Sequence, residues 1–200
     1  QHNQSTLLAA EAARENGNSP NTVVASAVAI VGKKMVQKAM DASSALLELF
    51  QFTKLGGPKE AFDYADQLKE ADKFKDALLA DGEDPCAGIL ADCLNKAGDS
   101  VFIKFVQDFA AANGGKLSTD VLFAAVWVTL GWEALRTKKI SKYTLVRLPW
   151  YSRIYSTIVG VSAPASRHSE DSLAGVKMEE LIPNYSFTKT AFVTLLGRQP

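Results

Sequence analysis

Over the first 136 positions the apolar residues recur with helical spacing, and the polar stretches between them carry the residues that start and stop helices. Across 23–52, Val28, Val31, Met35, Met40, Leu46, Leu47 and Phe50 spread over much of a helix circumference. That predicts a central buried helix capped by Asn21 or Thr22, with candidate breaks at Gly32 and at Ser43-Ser44. Gly56-Gly57-Pro58 reads as a stop followed by a start, and 59–80 keeps Phe62, Leu68, Phe74 and Leu78 on one face with lysines and carboxylates on the other, as a surface helix does. Asp84-Pro85 opens a shorter helix that Gly98 ends, and Asp99 stands as N-cap for 101–112, where Val101, Phe105 and Phe109 fall at i, i+4 and i+8 beside Phe102 and Val106. Ser118 or Thr119 caps the last strong helix, 121–135, which is apolar nearly all round and holds Phe123, Trp127 and Trp132.

The remaining stretches have a different texture. Residues 1–20 are polar, with a short helical pattern at 7–13, and read as an arm or a frayed helix. Residues 140–161 are rich in Tyr, Thr, Ile and Val around Pro149, which fits an extended segment or a short helix over 149–159. A Ser/Ala/Pro loop is expected at 162–175 and a short docking helix at 187–196. The expected fold is all-α: an irregular bundle of about six to seven helices with an extended N-terminal arm (1–20), a helical core (21–136) and a loop-rich C-terminal segment (137–200), one domain in all.

Composition places the chain among globular proteins, since 47% of its 200 residues are hydrophobic and 22% charged. A formal net charge of zero removes any chain-wide attraction to nucleic acid or anionic lipid. The charge is nevertheless segregated. Residues 1–133 hold 12 Lys/Arg against 18 Asp/Glu, whereas 134–167 hold 7 against none. Cys86 and Cys93, seven positions apart on a helix, lie about 10 Å apart, too far for a disulfide, and are expected as buried thiols on one helix face. The longest apolar run, 121–132, is too short to span a bilayer. A first residue Gln1 suits a processed mature protein and equally a trimmed chain.

Candidate chemistry concentrates in the acid-free segment. Arg136, Lys138, Lys139, Lys142, Tyr143, Arg147, Trp150, Tyr151, Arg153 and Tyr155 mix cations with amphipathic rings. Such a mixture suits a protein interface, where Tyr, Trp and Arg are the usual anchors. It also suits a membrane surface, with rings at headgroup depth and cations on anionic lipid, or single-stranded nucleic acid, with cations on phosphates and rings on bases. The plain alternative is a solvated loop that covers the helical body with Trp150 tucked in.

Other motifs carry less. Arg167-His168-Ser169-Glu170-Asp171 has the residue types of a hydrolytic triad, but as loop neighbours with no scaffold to fix them. Cys86, Cys93 and a histidine make an incomplete zinc set, and no metal ligand is assigned. Gly114-Gly115-Lys116 before Ser118 reads first as a plain helix-connecting turn, with an anion at the helix start as the alternative. No catalytic constellation and no pigment, haem or quinone signature is present, so the cofactor stays open. The expectation is a non-enzymatic structural subunit that docks through the basic-aromatic segment on other subunits of a large assembly. A complex peripheral to an organellar membrane, thylakoid or mitochondrial inner membrane, photosynthetic or respiratory, fits that description. The alternative is an RNA-binding nucleoprotein or filament coat protein that uses the same residues.

Overall fold

A computed structural model describes residues 2–172 of the chain, with side chains described over 5–162. Every regular element among the described residues is helical: α1 (His2–Glu15), α2 (Pro20–Ala29), a 3-10 turn (Lys33–Met35), α3 (Gln37–Phe50), α4 (Ala65–Glu70), a second 3-10 turn (Ala71–Phe74), α5 (Lys75–Leu78), α6 (Pro85–Ala97), α7 (Val101–Ala112), α8 (Thr119–Arg136) and α9 (Lys142–Ser172). The all-α expectation holds. The helices outnumber those expected because two long predicted ones are broken.

The described residues divide into two compact units, one made of residues 2–31 with 156–172, the other of residues 32–155. In the first, the segment read as an arm or frayed helix is α1, which packs on α2. Ala10, Val23, Ala27 and Val161 form its small core, and the Ser26 hydroxyl ties the two helices by donating to the Ala9 carbonyl at 3.2 Å. The predicted helix over 23–52 ends at Ala29, and Ile30 to Val36 carry the chain into the second unit, so the break at Gly32 is the one that occurs.

The second unit is built on α3, α7 and α8. Their inward faces bring Leu46, Leu47, Phe50, Phe102, Phe105, Val106, Phe109, Leu122, Val128 and Trp132 into one buried cluster. Phe50 sits at its centre, edge-on to Phe102 and to Phe105 at 5.1 Å each. This edge-to-face geometry adds to plain burial because the ring edge is positive and the ring face negative. The α7 pattern of Val101, Phe105 and Phe109 is buried as its spacing predicts.

The predicted surface helix over 59–80 is the largest departure. Residues 58–64 are irregular because their polar groups are used locally: the Pro58 carbonyl accepts from Val101 N–H at 2.8 Å, Glu60 Oε2 accepts from Gly56 N–H at 2.9 Å, and Asp63 Oδ1 accepts from Ala65 N–H at 3.0 Å. The rest is α4, a 3-10 turn and α5. It is laced by the i,i+3 pairs Asp66–Lys69, Glu70–Lys73 and Asp72–Lys75 at 3.2, 3.6 and 3.2 Å. Asp99 is not the cap of α7: it pairs with Lys104 at 2.8 Å, Ser100 takes the N-cap position, and the Pro58 carbonyl supplies a partner for the first helical N–H.

Asp84 does more than cap one helix. Its carboxylate accepts from Cys86 N–H at 3.2 Å, starting α6, and from Thr119 N–H at 2.6 Å, starting α8. The start of α8, where a bound anion was the alternative to a plain turn, thus receives a carboxylate of the chain itself. Burial works to raise the Asp84 carboxyl, but the hydrogen bonds from Thr119, Cys86 and Ala87 outweigh it and hold the group below its ordinary value. A lowered native pKa means stability that is present above the ordinary carboxylate value and is lost as pH falls through the native one. Asp84→Ala is expected to cost about 1–2 kcal/mol in denaturant unfolding at neutral pH. The gap between parent and variant should close as pH drops below about 3.9.

Cys86 and Cys93 share a face of α6 as their spacing requires, but that face points outward and both thiols are free and exposed. The expectation of buried thiols is corrected: α6 turns the small Ala87 and Ala91 inward instead.

Candidate functional site

The candidate residues fall on one corner of the second unit, where α8 ends and α9 begins. The corner exists because α8 stops in a Schellman motif: Lys139 N–H donates to the Ala134 carbonyl at 2.8 Å and Lys138 N–H to the Leu135 carbonyl at 3.0 Å. Ser141 then caps α9, its hydroxyl accepting from Thr144 N–H at 3.1 Å. Leu145, fully buried, seats the start of α9 on α8 at Gly131, where a Cβ would collide with a Leu145 methyl. Residues 142–172 are therefore one helix. The extended reading of 140–161 and the loop expected over 162–172 do not hold, the alternative helix over 149–159 falls within α9, and the loop's last residues and the 187–196 helix lie outside the described residues. Pro149 is accommodated within α9, where it leaves the Leu145 carbonyl without its usual donor.

Helical winding turns a compositional cluster into a face. Tyr143, Arg147, Tyr151 and Tyr155 follow one another at i, i+4, i+8 and i+12, about 6 Å apart along the axis, opposite the side that carries Leu145 and Pro149. The three tyrosines are 62%, 46% and 64% exposed. Arg147 lies over the Tyr143 ring, 3.9 Å from its centroid, and 5.9 Å from the Trp150 centroid, so two rings hold the guanidinium in place. Trp150, partly buried, leans on Tyr151 at 5.7 Å.

The cations divide by what they do. Arg136 donates to the Gly56 carbonyl and belongs to the fold. Arg153 is partly buried. Lys138 and Lys139 are exposed in the corner, Lys142 stands at the first turn of α9, and none of these three, nor Arg147, forms an ion pair among the described residues. Lys138 is the one described non-glycine residue with positive φ, 57°, at the position of the Schellman motif that glycine ordinarily fills. Holding a side chain there costs about 1–2 kcal/mol. Lys138→Gly is expected to raise unfolding stability by about 1 kcal/mol in denaturant unfolding. A drop in stability would mean that Lys138 makes a packing contribution this geometry omits.

Elsewhere the second unit offers less. A groove of about 370 Å³ runs between the 58–64 stretch and the start of α7. Three of its polar groups are answered within the chain: Lys104 by Asp99, Glu60 by Gly56, and the Tyr64 hydroxyl by Asp108 at 2.6 Å. Burial, with the Asp108 carboxylate beside it, pushes the Tyr64 phenol up to about 12, so it stays a neutral donor. No group of three potential metal ligands occurs among the described residues. Comparison with protein-family models, with curated proteins and with solved structures finds no match in any of the three, and no role comes to these residues from a relative.

Proposed function

We propose that the chain is a non-catalytic assembly subunit that docks on a neighbouring polypeptide of a larger complex through the outer face of α9 and the α8–α9 corner. The observation that supports this is the joint presence, at one corner, of three exposed tyrosines, an arginine held between rings, and lysines that no described carboxylate answers. Tyrosine, tryptophan and arginine dominate binding energy at protein interfaces, and a side chain already fixed loses less freedom on docking. The matching surface is one with acceptors for Arg147 and carboxylates for Lys138 and Lys139. Residence beside an organellar membrane complex, photosynthetic or respiratory, belongs to the same proposal. No described helix is long and apolar enough to cross a membrane.

A second reading, an RNA-binding nucleoprotein or coat protein, has one feature in its favour: exposed tyrosine rings flanked by cations suit base stacking. Titration of the full chain with single-stranded RNA at several salt concentrations separates the two. Protein docking predicts no binding at low salt, whereas a steep negative slope of log affinity on log salt would give the face to RNA. The docking reading is tested by replacing Tyr143, Arg147 and Tyr151 together with serine and following what co-purifies with the chain.

A further inference from the structure

We propose that the outward face of α8 is a self-association surface, on which two copies of this chain pack their α8 helices antiparallel about a two-fold axis near the middle of the helix. A helix apolar all round is expected to be buried all round, yet α8 is buried on one side only. Val121, Leu122, Ala125, Val128 and Trp132 face the core, while Phe123 is 47% and Leu130 68% exposed, with Trp127 and Ala134 partly exposed between and beyond them. Positions 123, 127, 130 and 134 follow the 4-3-4 spacing of a helix-pairing seam. They leave a continuous apolar stripe of a kind that single soluble chains rarely expose.

Charge at the two ends of the stripe selects both the occupant and the direction. Asp84, bonded to Thr119 N–H, lies at the N-terminal end of α8 with Glu83 and Asp120 against Lys116 alone; Arg136, Lys138 and Lys139 lie at the C-terminal end against Glu133 alone, about 25 Å away along an 18-residue helix. A second copy laid antiparallel places each acidic end against a basic one, and opposes the helix dipoles favourably as well. Laid parallel, it would stack like charges. With the axis between Val128 and Thr129, Trp127 meets the partner's Leu130, Phe123 meets the partner's Ala134, and Asp120 lies beside the partner's Thr137 and Lys138. The same patch is used on both copies, which is the condition for a closed dimer.

Sedimentation equilibrium on the full chain tests this, with Leu130→Asp and Ile89→Asp as the informative pair. Both residues are well exposed, Leu130 at 68% in the stripe and Ile89 at 69% on α6, so neither change should alter helix content by circular dichroism. The parent is expected to dimerise, Leu130→Asp to weaken the dimer at least about 100-fold by placing charge in the apolar seam, and Ile89→Asp to dimerise as the parent does. A parent that stays monomeric at every concentration, a Leu130→Asp dimer as tight as the parent's, or equal loss in both variants would overturn the proposal. Lys138 and Lys139 border both surfaces, but neither change touches the outer face of α9, so docking through Tyr143, Arg147 and Tyr151 is read separately.

Discussion

Phe50→Ala is expected to lower the unfolding free energy by about 3–5 kcal/mol, the usual cost of emptying a large aromatic site. Phe50 has no exposed surface and holds the two edge-to-face contacts that join α3 to α7. Phe62, with its ring centroid at 6.0 Å, is only partly buried and cannot refill the space without leaving the irregular 58–64 stretch. A domain is stable by about 5–15 kcal/mol, so this one change removes a large share of the total. Phe52→Ala is the internal control. Phe52 is 89% exposed two residues further on, and its removal should move stability by no more than about 0.5 kcal/mol. Denaturant unfolding of both variants measures the contrast, and equal effects would mean that the α3–α7 packing is wrong.

The second large effect concerns docking. Replacing Tyr143, Arg147 and Tyr151 with serine removes exposed or partly exposed side chains on the side of α9 opposite buried Leu145 and Pro149, so helix content and the unfolding midpoint should stay close to the parent's. Binding should fall by at least about 100-fold, since interface anchors of these types commonly contribute about 2 kcal/mol or more each and these three adjoin one another. Arg147→Lys alone is expected to weaken binding measurably. A compact ammonium keeps the charge but loses the planar stacking on Tyr143 that holds the guanidinium 3.9 Å from the ring.

Much of the fold was legible where one periodicity left no competitor. Phenylalanines at 102, 105 and 109 with Val101 and Val106 fit a helix face and no strand, and they are buried in α7. Residues 59–80 carried an equally regular pattern, but Pro58, Glu60 and Asp63 spend their polar groups on Val101, Gly56 and Ala65, bonds that periodicity does not register. The cysteines were misplaced because spacing fixes which face they share and not which way it points.

The candidate site was visible as a list of residues and not as a surface. Tyr, Thr, Ile and Val around Pro149 left an extended segment and a short helix over 149–159 both open, and only the winding of α9 places Tyr143, Arg147, Tyr151 and Tyr155 in one line. A signal was available in Ser141, three residues before Thr144, which has the form of a helix cap. The strain at Lys138 had none, since a lysine in a Schellman position is indistinguishable in sequence from any other surface lysine.

The most direct measurement is affinity capture of the full-length chain and of its Tyr143, Arg147 and Tyr151 serine variant from the native source, at matched expression and with the bound material identified. The parent should bring down a defined set of polypeptides, released by raised salt, and the variant should lose that set while keeping its helix content. Capture of the same polypeptides in the same amounts by the variant would show that α9's outer face is only surface.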